Sequence, residues 1–214
     1  PDVSAIINSI KKDEEYNVQS IFIKDFHERD LTSLDPDLLI LHQIPSNERL
    51  PFDIFKNNLP IWFINGPKSD LDFISDLDLG LKFNEADTYD YLGINEFYAE
   101  YNTSFKKFTF NDSTYKMIEN SPPLFMYNNI LSFSSNIEIL LNAKYAFQED
   151  LELLFFGKQG NEKKYAMLNA EGIWRWRLFN FQKNKNHYNF DEFIIKIVKN
   201  LLIDDYQDRF RINY

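Results

Sequence analysis

The sequence predicts an α/β fold, a largely parallel, doubly wound sheet flanked by helices, with an irregular β-containing excursion at about 80–135. Three observations carry this expectation. Two short continuous apolar runs, 37–41 and 60–64, fit strands covered on both faces, as parallel sheets require. They alternate with amphipathic helix patterns in the order helix, strand, strand, helix, strand, helix, which favours right-handed crossovers. The 214 residues, 44% hydrophobic and 26% charged, have an ordinary globular composition, long enough to bury about 70% of the unfolded chain's surface. A single domain over 1–214 is expected.

In chain order, Val3, Ile6, Ile7 and Ile10 mark one face of a helix, with Asp2 as its N-cap. A chain that opens on a capped helix, with no initiator Met or leader, reads as a piece of a longer protein. Alternation over 18–23 predicts a strand. A short helix is expected at 50–58 between the two buried strands. Asn65-Gly66-Pro67 ends the second of them. Ser69 then caps a further helix, with Asp72 in the returning position. Beyond Gly80 the periodicity degrades. Residues 98–110 read as extended, 112–120 as a helical turn or two, and Ser121-Pro122-Pro123 stops it. Strand character returns at 137–145, 151–156 and 164–169, with a polar hairpin connection at 157–163. The final helix is the clearest element. Phe190, Phe193, Ile194, Ile197, Val198, Leu201 and Leu202 recur at helical spacing, and Asn189 with Glu192 reads as a capping pair.

Composition excludes several functions. There is no Cys, hence no disulfide framework, no thiolate zinc site and no cysteine nucleophile. A net charge of −10 argues against a general nucleic-acid or anionic-membrane binder. No run approaches the ~20 apolar residues of a spanning helix. Gly-rich phosphate loops, zinc-binding His-Glu-x-x-His, nucleophile elbows and dinucleotide fingerprints are missing. With His27, His42 and His187 as the only imidazoles, no transition-metal site and no cofactor is expected. Asp70, Asp72, Asp76 and Asp78 alternate with Leu71, Ile74 and Leu77, the pattern of a solvated helix face rather than a cation loop.

Two groups of residues remain as binding candidates. In open α/β sheets ligands bind beyond the carboxyl ends of the strands. His42, Gln43 and Ser46 follow one such end, and Asn65 and Gly66 the next. The plainer reading has His42 bonded to backbone and Ser46 capping a helix. The second group is the segment Glu171, Gly172, Ile173, Trp174, Arg175, Trp176, Arg177 and Leu178. Gly172 permits a tight turn into a helix whose free N–H groups favour anions. Trp174 and Arg177, three apart, are spaced to stack, and Glu171 is placed to accept from an Arg. Either a ligand clamp or docking surface, or a buried Glu–Arg brace under aromatic anchors, fits that pattern.

At these residues the chain resembles a family. Residues 37–46 (DLLILHQIPS), 60–66 (PIWFING), Tyr101-Asn102 with Phe105 and Phe108, Pro122-Pro123-Leu124 and 171–178 (EGIWRWRL) are similar, in the same order, to the glutamine-amidotransferase-like domain of large bacterial membrane proteins of unassigned function. The resemblance spans nearly the whole chain, and its last segment is the most specific. It implies a flavodoxin-like sheet of the class I amidotransferase type, set between membrane-spanning segments outside this sequence, with a first strand preceding Pro1-Asp2. It further implies a membrane-anchored domain that faces the periplasm.

Class I amidotransferases carry a nucleophilic Cys in the elbow after a central strand. The corresponding residues here are Ile64-Asn65-Gly66, and the distal His-x-Glu is reduced to Glu171 without a neighbouring His. Asn cannot form the acyl-enzyme. The resemblance therefore implies a degenerate, non-catalytic domain that binds an unidentified protein or small-molecule ligand through His42, Gln43, Ser46, Asn65, Gly66, Glu171, Gly172, Trp174, Arg175 and Arg177. The competing expectation is a hydrolase with His42 as base and Glu171 as acid or orienter. Neither nucleic acid nor a metal enters either reading, and the oligomeric state is left open.

Overall fold

A computed structural model describes residues 1–46, 53–56, 58–85, 94–127, 129–134, 136–144, 151–159 and 163–203. The helices are α1 (Asp2–Ile10), α2 (Glu28–Leu34), α3 (Asp53–Lys56), α4 (Leu71–Ser75), α5 (Asp112–Asn120), α6 (Trp174–Asn184) and α7 (Tyr188–Leu202). The strands are β1 (Leu39–His42), β2 (Ile61–Ile64), β3 (Leu81–Glu85), β4 (Ile94–Tyr101), β5 (Leu124–Tyr127), β6 (Asn129–Phe133), β7 (Glu138–Lys144), β8 (Leu151–Gln159) and β9 (Lys163–Leu168). Seven of them form one sheet in the order β1-β2-β9-β8-β7-β4-β5, while β3 and β6 pair separately. Among the described residues no helix is long and apolar enough to cross a membrane.

The fold is α/β, but the sheet is mixed rather than largely parallel. Only β1, β2 and β9 run parallel; the pairings from β9 through β8, β7 and β4 to β5 are antiparallel. For β7, β8 and β9 the reason is connection length. A parallel neighbour needs a crossover of a dozen or more residues, whereas a short link returns the chain antiparallel. The polar link after β8 is of the second kind, with Gln159 opposite Lys163. Residues 80–135 supply β3 to β6, two of which extend the main sheet at its far edge.

The middle parallel strand, β2, is apolar throughout because both its faces are covered. Trp62 and Ile64 point into one core with Ala166 and Leu168, while Ile61 and Phe63 point into the other with Tyr165 and Met167. On the first face lie α1, α5, α6 and α7, which contribute Ile6, Ile10, Ile118, Trp176, Phe193 and Ile197. On the second lie α4 and the β3–β6 pair, through Ile74, Leu81, Phe83 and Phe133. Each such fully buried side chain is worth about 1.5–3 kcal/mol. Inside the first layer, Ser9 Oγ of α1 donates to Asp191 Oδ1 of α7 at 2.6 Å.

Several local expectations change. Residues 18–22 are not a strand, and a short 3-10 turn follows at Ile23–Asp25; Ile21 and Phe22 are exposed, and among the described residues no strand pairs with them. Helix α3 covers part of 50–58, the remainder of which lies outside the described residues at 50–52 and 57. Asp70, not Ser69, caps α4 by accepting from Phe73 N at 3.0 Å. Ser69 Oγ instead accepts from Gly66 N. Of the expected extended stretch 98–110, only its start is strand, since β4 ends at Tyr101. Helix α7 has no side-chain cap. Its Asn189 and Glu192 turn outward to α5, bonding Ser113 and Thr114. Asp2 is likewise not the N-cap of α1. It lies inside the first turn, and its carboxylate serves another helix.

Candidate functional site

Parallel pairing brings the carboxyl ends of β1, β2 and β9 side by side. His42 is the last residue of β1 and pairs with Ile64, which in turn pairs with Leu168. Gln43, Asn65 and Asn169 therefore follow in one row. Backbone bonds hold them there: Gln43 N donates to Ile64 O at 2.7 Å and Asn65 N to Leu168 O at 2.8 Å. The two candidate groups touch here, because Gln43 Nε2 donates to Glu171 Oε2 at 2.7 Å. Glu171 accepts from Gln43, not from an Arg.

Gln43 is the pivot. It takes a left-handed φ of 55°, uncommon for a residue with a Cβ and a sign of stored strain. Its side chain compensates by bridging, donating to Glu171 and accepting from Lys68 N at 3.3 Å. Gly66 makes room for it, since a Cβ at that position would stand 2.6 Å from Gln43 Nε2. Ser46 lies just beyond, half-buried past Pro45.

The turn after β9 works as the glycine predicts. Gly172 has φ 98°, and α6 starts two residues later. Glu171 is also stitched through its backbone to Phe125 of β5, at 2.8 and 3.0 Å. The free N–H groups at the start of α6 are already occupied by an anion from the chain itself. Asp2 Oδ2 accepts from Gly172 N at 2.8 Å and Oδ1 from Trp174 N at 2.9 Å. His42 Nε2 stands 3.5 Å from the same carboxylate. Burial alone would raise the Asp2 pKa; the His42 imidazole and the two N–H groups outweigh it and hold the carboxyl below its ordinary value. Sequence reasoning missed Asp2 because its helix-start position explained it locally. Nothing in the chain marks a partner 170 residues away.

The two Trp diverge. Trp176 is fully buried, and its indole N–H donates to Pro122 O at 2.8 Å. Trp174 is 39% exposed. Arg175 lies over the Phe125 ring at 4.7 Å and stands 3.5 Å from Glu96. The cation–π contact in this segment is thus Arg175 with Phe125, rather than Arg177 with Trp174. Arg177 Nε is buried without a hydrogen-bond partner.

Asn65 is the residue that the resemblance sets where an amidotransferase carries its nucleophile. A nucleophile elbow presents its side chain at the top of the sheet on a sharp, strained turn. Asn65 is only 3% exposed and does not have a positive φ. Its amide reaches Asn169 Oδ1 at 3.4 Å, a neighbour that sequence reading did not select. Two surface cavities, about 570 and 290 Å³, open elsewhere, around Lys107 and Asn200. Among the described residues no group of three or more His, Asp or Glu is placed to hold a metal.

Neither protein-family models nor curated proteins match this chain. Glu171 is committed to Gln43, and the start of α6 to Asp2. Gln43 and Glu171 satisfy each other, whereas, among the described residues, His42 Nε2, near Asp2 only at 3.5 Å, and Asn65 Oδ1 are buried without a hydrogen-bond partner.

Proposed function

We propose that this chain is a non-catalytic interaction domain, the periplasm-facing part of a membrane-anchored protein, whose site at the strand ends is a degenerate relative of an amidotransferase centre. The observation that carries the reading is that Glu171 is bonded to Gln43 and that Asp2 occupies the N–H groups at the start of α6. A working hydrolase keeps a base within reach of a nucleophile and leaves donors free for the developing oxyanion. Here the natural anion site, the start of α6, is filled by Asp2, and the elbow residue is a buried Asn without nucleophilic chemistry.

The test is hydrolysis of glutamine and of activated amide and ester substrates by the wild type, His42→Ala and Glu171→Ala. All three are expected to match the buffer blank. Turnover by the wild type that either folded variant abolishes would replace this reading with the hydrolase in which His42 is the base and Glu171 the acid or orienter.

A further inference from the structure

The outer face of α6 carries a line of large apolar side chains that, among the described residues, stay exposed beyond the His187 ring on Phe181. Trp174, Leu178 and Phe181 are 39%, 56% and 44% exposed. Their i, i+4, i+7 spacing puts them within one narrow arc, opposite the fully buried Trp176 and Asn180. Tyr188, 76% exposed at the start of α7, prolongs the line past His187, whose ring stacks on Phe181 at 5.0 Å. Helix propensity and core packing explain the buried side of α6. They do not explain this one.

Charge says what covers it. Between Gly172 and Phe190 the chain has Arg175, Arg177, Lys183 and Lys185 and no Asp or Glu, a local +4 within a chain of net charge −10. Arg175 has a carboxylate within ion-pair distance, Glu96 at 3.5 Å. Lys183 lies over Phe179, and Lys185 bonds a backbone carbonyl. Among the described residues no carboxylate pairs with Arg177, Lys183 or Lys185. A second copy is a poor occupant, because a two-fold contact through α6 would bring both sets of cations together. A folded acidic protein fits little better. The four exposed side chains offer roughly 450 Å² at most, about half the ~800 Å² each partner of a standard interface contributes.

We infer that this face lies on an anionic lipid surface. Leu178 and Phe181 enter the acyl boundary. Trp174 and Tyr188 sit at headgroup level, where amphipathic rings are favoured. Arg177 and Lys185 reach the phosphates on either flank. The chain's overall negative charge does not prevent this, since charges more than a Debye length of about 8–10 Å from the surface are screened. The inference rests on the interaction-domain reading and names a surface and a partner for it.

The test is co-sedimentation of the 214-residue chain with vesicles of phosphatidylcholine alone and of phosphatidylcholine mixed with phosphatidylglycerol. Binding is expected only to the mixed vesicles, weakening with salt. Arg177→Gln with Lys185→Gln lowers the partition coefficient about 30-fold, from about fivefold per cation, and Leu178→Glu abolishes it while the circular dichroism stays native. Equal binding to both vesicles, binding indifferent to these variants, or no binding overturns the inference. So does self-association that Leu178→Glu removes, which assigns the face to a second copy. Turnover by His42 or Glu171 would refute the non-catalytic reading and leave the vesicle result as it stands; a failed vesicle test leaves that reading untouched.

Discussion

Replacing Asp2 by Asn changes one atom and separates a helix-start anion from a passive surface residue. The carboxylate accepts from Gly172 N and Trp174 N through its two oxygens. An amide keeps one acceptor and turns an NH₂ toward the other N–H. One buried backbone donor is then unsatisfied, at about 1–3 kcal/mol, and the start of α6 loses a negative charge worth up to ~2 kcal/mol in a partly buried geometry. Together the loss is about 2–4 kcal/mol. For a chain of this size each kcal/mol moves Tm by about 2–4 °C, so thermal melts at neutral pH should fall by roughly 5–15 °C. The pH dependence has a definite sign. The folded pKa of Asp2 lies below the ordinary aspartate value of 3.8. Its contribution is therefore complete above that value and is lost as pH falls through the folded pKa. The gap between wild type and Asp2→Asn should hold at neutral pH and close below about pH 3.8. A gap under ~0.5 kcal/mol at neutral pH, the range of surface substitutions, would refute the reasoning, as would a gap that widens on acidification.

Trp176→Ala removes a fully buried indole and its bond to Pro122, and denaturant titration should show a loss of about 3–5 kcal/mol, whereas Trp174→Ala should cost under ~1 kcal/mol. Gly172→Ala meets no close atom, its nearest contact being 3.4 Å, so its cost of about 1–3 kcal/mol is the backbone strain of a side chain at φ 98°; a neutral result would show that the turn relaxes. Gly157→Ala would place a Cβ 2.3 Å from the ring of buried Tyr165, whose hydroxyl donates to Leu79 O. Melting should register about 1–3 kcal/mol of overpacking.

How much of this was legible beforehand depends on whether the signal was local. The strand at Ile61–Ile64 announced itself because a strand covered on both faces must be apolar at every position, and Leu39–Leu41 gave a shorter run of the same kind. Helix α7 did so through its stripe from Phe190 to Leu201. The capping assignments failed for one shared reason. Asp2, Ser69, Asn189 and Glu192 all stand at helix starts, where a local bond is the default expectation, yet each is drawn to a partner on another element or turn. The antiparallel half of the sheet was obscured by 80–135, where strands such as Ile94–Tyr101 pair with elements far along the chain and leave no periodic mark. At the strand ends the positions of His42, Gln43, Asn65 and Glu171 could be read from where the apolar runs stop. That Gln43 and Glu171 spend themselves on each other could not, because it depends on the β2–β9 pairing across about a hundred residues.

That mutual bond is where the account is most exposed. Groups held ready for chemistry often cost stability, so removing them commonly stabilises a protein; groups that fasten a structure do the reverse. Glu171 accepts from Gln43 at 2.7 Å and anchors the turn into α6. The decisive measurement is the unfolding free energy of Glu171→Ala, Gln43→Ala and the double variant. The account predicts that each single change destabilises the protein, with a coupling of about 1–3 kcal/mol in the cycle. A Glu171→Ala variant more stable than the wild type, with no coupling to Gln43, would contradict it.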